Sequence, residues 1–235
     1  MVYYISIKTP LRQSCEVGKA VVSFGFLRHI CTLKLYSNEF IIPACTLQTG
    51  IFFLNGGAHL TEKAVIMDES AINRAIARIS YEIIERNKGT DNLCIVAIMS
   101  GGISIASRIA AKLNELENTS VEVGALDITS YRDDEKHVPD CDRTSIAFDV
   151  KDKKIILVDD VIFTGRSARA AIDAVMKRGR PQSIQLAVLV DRGHREIPIR
   201  PDYVGKNLPT SRDESVKVMM KEIHGCDKVV ILGKS

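Results

Sequence analysis

The sequence predicts an α/β fold, a mostly parallel, twisted sheet flanked by helices. Three observations point there. Short aliphatic runs at 93–99, 155–158 and 184–190 are continuous rather than alternating, as in strands covered on both faces. The segments before and between them repeat apolar residues every three or four positions, the period of an amphipathic helix. Strand-like and helix-like stretches alternate, which favours parallel strands joined by right-handed crossovers, with ligands held at the carboxyl ends of the strands.

Taken in order, residues 1–59 are charge-poor, with five Lys or Arg and two Asp or Glu, and show no sustained period. They are expected to be a non-native or disordered extension. No Met lies between positions 2 and 66, a leucine codon can initiate translation in bacteria, and Gly56-Gly57 can be written as a ribosome-binding sequence; the expected start is therefore Leu60, with one domain over 60–235. Ile72, Ala75, Ile76, Ile79, Ile83 and Ile84 mark a helix that Asp68 or Ser70 can cap and that ends at Lys88 to Gly89. A strand at 93–99, a helix over about 103–116 and a strand at 121–128 follow. The polar stretch 130–145 has no core period and is expected to be a mobile loop. Beyond the strand at 155–158, Ala168, Ala171, Ile172 and Val175 predict a helix after Gly165. A strand at 184–190, a Gly/Pro/Arg-rich segment over 191–212 and a strand near 228–232 complete the chain.

Composition excludes several classes. At 46% hydrophobic and 26% charged residues the chain is ordinary for a globular protein, and its longest apolar runs fall far short of the roughly 20 residues a membrane helix needs. Residues 61–235 carry 27 basic and 27 acidic residues, so whole-chain charge gives no argument for nucleic acid. Six cysteines, without a CxxC pair or His at ligand spacing, indicate neither zinc nor a disulfide framework and fit a cytoplasmic protein. No GxxxxGK[ST] loop occurs.

The chemistry concentrates in IILVDDVIFTGRSA (155–168), where a buried strand runs into Asp159 and Asp160 and is followed by Thr164, Gly165, Arg166 and Ser167. A loop leading into a helix offers outward N–H groups and the positive end of the helix dipole, which suit phosphate. Gly165 permits close approach, and the Thr164 and Ser167 hydroxyls can donate or cap. Acceptor-only carboxylates suit sugar hydroxyls or Mg²⁺ instead. A ribose carrying a phosphate satisfies both. MSGGIS (99–104) lies after one strand and before a helix, so Ser100, Gly101 and Gly102 can offer backbone N–H groups to a second anion.

VDDVIFTGRSA resembles the PRPP (phosphoribosyl pyrophosphate) signature of type I phosphoribosyltransferases. ERNKG, LDITSYRDD, the long stretch from Gly179 to Ser211 and PTS resemble the PyrR family, pyrimidine operon attenuators that also carry uracil phosphoribosyltransferase activity. The likeness covers about residues 61–235. It implies a type I phosphoribosyltransferase fold with a mobile lid loop, in which Asp159 and Asp160 hold the ribose hydroxyls directly or through Mg²⁺. Val161, Ile162, Phe163, Thr164, Gly165, Arg166 and Ser167 would wrap the 5′-phosphate. Ser100, Gly101 and Gly102 would cradle pyrophosphate, and Arg132, with the loop through Lys136 and His137, would close over it. The pyrimidine would sit beneath Val190 to Ile199.

Relatives usually carry Thr-Arg-Gly at 100–102; a guanidinium missing at Gly101 forfeits a charge-assisted hydrogen bond of roughly 1.5–3 kcal/mol. For RNA, the likeness points to Arg86, Arg192, Arg195, Arg200 and Lys206, with Ala77 and Tyr81 where relatives have Thr and His. The implied partners are PRPP, uracil, UMP or UTP, pyrimidine operon leader mRNA and further copies of the chain. The implied function is transcription attenuation together with UMP synthesis. A regulator with decayed catalysis and a salvage enzyme without RNA control are the alternatives.

Overall fold

The computed structural model describes residues 22–27, 30–35, 42–43, 51–52, 60–132 and 142–234. The chain divides into two units, residues 1–50 and 51–235. In the first, β1 (Val22–Leu27), β2 (Ile30–Leu35) and β3 (Ile42–Pro43) form an antiparallel sheet in that order.

The second unit begins with β4 (Ile51–Phe52) and β5 (Leu60–Met67), followed by α1 (Glu69–Asn87). Asp68 caps α1 by accepting from the Ala71 N–H at 2.7 Å, and Lys88 ends it in the left-handed conformation. Next come β6 (Leu93–Ile98), α2 (Gly102–Glu117), β7 (Glu122–Leu126) and a 3-10 turn (Thr129–Tyr131). Then β8 (Lys154–Ile162), α3 (Arg166–Arg178), β9 (Ser183–Asp191), β10 (Tyr203–Asn207), β11 (Ser215–Met219), α4 (Lys221–His224) and β12 (Lys228–Lys234) complete it.

Five strands pair in parallel in the order β10-β9-β8-β6-β7. Both faces of this sheet are buried, and the alternation of side chains divides the core in two. Leu93, Ile95, Ala97, Ile156, Val158, Ala187 and Leu189 join α1 and α2 on one side. Cys94, Val96, Ile98, Ile155, Leu157, Leu186 and Val188 join Ala168, Ala171, Ala174 and Val175 of α3 on the other. That is why these runs read as continuously apolar.

A second, antiparallel sheet has the order β11-β12-β5-β4. Arg108 of α2 ties to the polypeptide around α4, donating to Glu222 at 2.8 Å and to Asp227 at 2.7 Å.

Two expectations change. The strand carrying the aspartates does not end at them: β8 runs on to Ile162, because β9 continues its ladder with Asp159↔Val188, Val161↔Val190 and Ile162↔Asp191. The segment 191–212 is not wholly irregular, since Tyr203 to Asn207 form the edge strand β10. The mobile loop expected over 130–145, with Lys136 and His137, lies outside the described residues between 133 and 141.

Candidate active site

The order in which strands are added reverses between β6 and β8: β7 lies outward of β6 on one side, β9 and β10 outward of β8 on the other. Open α/β sheets bind ligands at the carboxyl ends of strands flanking such a reversal. Here β6 pairs with β8 only as far as Ala97↔Val158 and then turns away, and the next two residues of β8 are Asp159 and Asp160. The loop after β6 stays close to them. A Cβ built on Gly101 would lie 2.3 Å from Cγ and Oδ2 of Asp160, and one built on Gly102 would lie 2.2 Å from the Val158 carbonyl oxygen. The Met99–Ser100 peptide is cis.

Two helices start at this place, and neither has a side-chain cap. Gly101 stands at the N-cap of α2 and Gly165 at that of α3, whereas α1, which begins elsewhere, is capped by Asp68. Uncapped first-turn N–H groups and two helix dipoles make two anion cradles around one acidic pair. Gly165 has φ +94°, a conformation that strains residues bearing a Cβ. The Thr164 hydroxyl accepts from the Arg166 N–H at 3.4 Å.

Both aspartates are half-buried. Asp159 Oδ1 accepts from the Asp160 N–H at 3.0 Å, and Asp160 Oδ1 from the Val161 N–H at 2.7 Å. Burial, and then the charge of Asp160, push the Asp159 carboxyl well above the usual carboxylate range, against the pull of Arg132. Burial also raises Asp160. Two adjacent carboxyls whose charged forms are disfavoured in this way are stabilised by an arriving cation or hydrogen-bond donor. They fit Mg²⁺, which typically takes one or two carboxylates and completes its shell with water and substrate oxygens. Among the described residues no group of three His, Cys, Asp or Glu is arranged to hold a metal.

The structure sets Gly101 and Gly102, with Ser100 before them, against β8 at Val158 to Asp160, and residues 163–167 follow that strand directly. Arg132 joins them, since its Nη1 donates to Ser167 Oγ at 3.4 Å and its charge is felt by Asp159. Val161 and Ile162 belong to β8, and the Ile162 side chain is buried in the α3-side core, so the wrapping loop proper is residues 163–165.

The five cations read as an RNA surface separate. Arg192 is buried: its guanidinium donates to Thr210 Oγ1 at 3.1 Å and to the Ser211 and Glu214 carbonyls at 3.2 and 2.8 Å, and it lies 3.9 Å over the Phe163 ring. Arg195 donates to the carbonyls of Phe163 (2.8 Å), Ile199 (3.0 Å) and Gly193 (3.2 Å) and to Asp191 (2.6 Å). This corrects the surface reading of both. Neither stands as an open surface cation: Arg195 holds the loop after β8 through the Phe163 carbonyl, and Arg192 is buried over the Phe163 ring with donors spent on residues 210–214. The Glu196 and Ile197 N–H groups reinforce the loop, donating to the Thr164 carbonyl at 3.0 and 3.2 Å.

Sequence reasoning missed this clamp because its partners lie far apart in the chain. Arg86, Arg200 and Lys206 do remain on the surface. Arg86 pairs with Asp202 at 2.6 Å, Lys206 donates to the Ile66 carbonyl at 3.3 Å, and Arg200 is exposed. Tyr81 is 55% exposed on α1, on the same helical face as Arg74 and Arg78.

Residues 65–221 match the phosphoribosyl transferase domain family. The Bifunctional protein PyrR of Clostridioides difficile is 59% identical over 175 residues, covering 73% of this chain and 99% of its own length. The chain belongs to the PyrR family of phosphoribosyltransferases. Further PyrR proteins, from Deinococcus radiodurans and Bacillus mycoides, are 56% and 54% identical over 170 and 180 residues, covering 71% and 74% of this chain and 93% and 100% of their own lengths. Beyond PyrR, the hypoxanthine phosphoribosyltransferase of Trypanosoma cruzi superposes with a TM-score of 0.59 at 18% identity, covering 74% of this chain and 98% of that one, a likeness of fold. In this PyrR-family chain no helix among the described residues is long and apolar enough to cross a membrane.

Proposed function

We propose that the protein regulates pyrimidine operon expression by binding leader mRNA in response to uridine nucleotides, and that it converts uracil and PRPP to UMP and pyrophosphate. The observation that carries this is the pair of uncapped helix N-termini flanking Asp159 and Asp160 at the sheet's reversal, in a chain of the PyrR family. Asp159 and Asp160 accept the ribose 2′- and 3′-hydroxyls. The N–H groups of 164–167 and the Thr164 and Ser167 hydroxyls hold the 5′-phosphate, and the N–H groups of Ser100 to Gly102 hold pyrophosphate.

In the reaction the uracil N1–C1′ bond forms as the C1′–O bond to pyrophosphate breaks, and the N1 proton leaves to solvent. Positive charge builds on the ribose as the bond breaks, so catalysis lies mainly in positioning and electrostatics. Asp159 and Asp160 would hold Mg²⁺, directly or through water, and the bound ion would supply neutralisation of the leaving pyrophosphate. Arg132 adds a fixed cation on the side of Ser167. Segment 190–199 lies against the phosphate loop and offers backbone groups to the pyrimidine edge.

UMP or UTP in this site favours the state that binds RNA, which requires that state to bind nucleotide more tightly. Arg86, Arg200, Lys206 and Tyr81 form the RNA-facing set on α1 and near β10. The working form is a cytoplasmic homodimer or higher homo-oligomer. Gly101, which brings no cation to the pyrophosphate loop, favours a second reading in which catalysis has decayed and regulation remains.

The test is UMP formation from uracil and PRPP with Mg²⁺, with UMP-stimulated, salt-dependent binding of the pyrimidine leader RNA measured alongside. Turnover with RNA binding supports the main reading. RNA binding without turnover supports the second, and turnover without RNA binding leaves a salvage enzyme.

A further inference from the structure

Asp127 is 5% exposed and sits just past the end of β7. Among the described residues its hydrogen bonds go to the two stems of one excursion of the chain. On the leading stem, Asp127 Oδ1 accepts from the Thr129 N–H at 3.1 Å and from the Thr129 hydroxyl at 2.5 Å. This is an Asx turn that sets the direction of the 3-10 turn. The returning stem supplies the Arg143 Nε, which donates to Oδ2 at 2.8 Å, and Thr144 Oγ1, which accepts from the Asp127 N–H at 3.1 Å. Beside it, Ala125 and Ser145 exchange both backbone hydrogen bonds at 2.8 Å.

The 3-10 turn ends at Arg132, whose N–H donates to the Thr129 carbonyl at 3.4 Å. From there the Arg132 side chain reaches Ser167 at the start of α3. Tyr131 is held against the same helix, with its carbonyl 3.4 Å from Arg169 Nη2 and its ring 4.6 Å from Lys177 Nζ. The direction of Arg132 is thus fixed by a turn that one buried carboxylate ties down. Burial alone would raise the Asp127 carboxyl, but its bonds from Thr129 and Arg143 outweigh that and hold it at about 2, so the tie carries its full charge at any neutral pH.

We infer that Asp127 is a positioning residue for phosphoribosyl transfer, which acts by fixing the turn that aims Arg132 at the anion cradle. It touches no reacting atom. The inference rests on the reading that Arg132 contacts the anionic substrate, and the test separates the two. A surface carboxylate would have been unremarkable. A buried one bonded to both stems, and to little else, is placed to set geometry.

The experiment is a double-mutant cycle on the full chain, with D127N, R132A and the double variant compared by initial rates of UMP formation at varied PRPP. If Asp127 acts through Arg132, D127N lowers kcat/KM for PRPP about tenfold, and the double variant is no worse than R132A, because neighbours acting as a unit are non-additive. R143A removes one arm of the tie from an exposed position and is expected to lower kcat/KM in the same direction by a smaller factor, with R143K restoring part of it. R143A also keeps the inference testable should D127N fold poorly.

A large effect of R132A with an additive D127N effect overturns the inference and leaves the role of Arg132 standing. No effect of R132A overturns both. Wild-type PRPP kinetics in folded D127N and R143A overturn the inference directly.

Discussion

Adding one carbon at either glycine of the β6–α2 loop has different consequences, which follow from what each carbon would meet. In G102A the new Cβ would lie 2.2 Å from the Val158 carbonyl oxygen. That oxygen belongs to the fully buried centre of β8, bonded between β6 and β9 at Ala97↔Val158↔Ala187, and cannot yield. The loop and the start of α2 must move instead, by about 1 Å to reach ordinary contact. Overpacking of this kind costs about 1–3 kcal/mol, and a backbone neighbour places it at the upper end. For a chain of this size each kcal/mol lowers the melting midpoint by roughly 2–4 °C, so G102A is expected to melt about 4–12 °C below wild type.

In G101A the atoms nearest the new carbon all belong to the Asp160 carboxyl, a side chain that can rotate. Backbone φ is −68° and ψ −33°, which alanine adopts freely, and the smaller entropy of alanine in the unfolded chain, roughly 0.4–1 kcal/mol, offsets much of the lost Asp160–Val161 bond. G101A should therefore melt within a few degrees of wild type while PRPP binding weakens through the displaced Asp160. Differential scanning calorimetry beside PRPP titration reads both. A G102A protein that melts like wild type, or a G101A protein that falls as far as G102A, refutes the packing argument.

Three further outcomes follow. Because folding raises the Asp159 pKa, the folded state holds its proton more tightly than the unfolded one; stability therefore falls as pH rises from about 4 through the raised value. D159N should be more stable than wild type at pH 8 and show a flatter pH dependence in denaturant melts, while losing activity. R195A leaves the carbonyls of Phe163 and Ile199 without their donor and the Asp191 carboxylate with the Gly193 N–H alone; it should cost about 2–3 kcal/mol in chemical denaturation and weaken UMP in calorimetry. R200A and K206A should leave UMP affinity unchanged, weaken leader RNA in filter binding, and each flatten the salt dependence by about one ion.

Much of the fold was legible because both faces of the parallel sheet are buried. Runs such as 155–158 can then be read without knowing their partners, and the 3.6-residue spacing from Ile72 to Ile84 fixes α1. The antiparallel sheet was harder. In β5, Ala64 and Val65 are exposed while Met67 is buried, so neither period is clean. The strand β10 holds five residues with a glycine in the middle, inside a segment whose Gly and Pro content argues for a loop.

The two cradles and the acidic pair were legible for a local reason, since helix starts and strand ends are written in neighbouring residues. Arg192 and Arg195 were not. A guanidinium donating to a carbonyl 32 positions away reads, in sequence, like any surface cation. Asp127 left a partial signal in Asp-Ile-Thr, the spacing of an Asx turn, but its bond to Arg143 has no local signature.

The central claim is that the acidic pair and the turn behind it hold one phosphorylated ribose, and calorimetric titration of UMP and of PRPP with Mg²⁺ into wild type and the D159N/D160N double variant tests it most directly. The account predicts saturable binding of both ligands by wild type and a loss of at least tenfold in the folded variant. Equal affinities in the two proteins would contradict it.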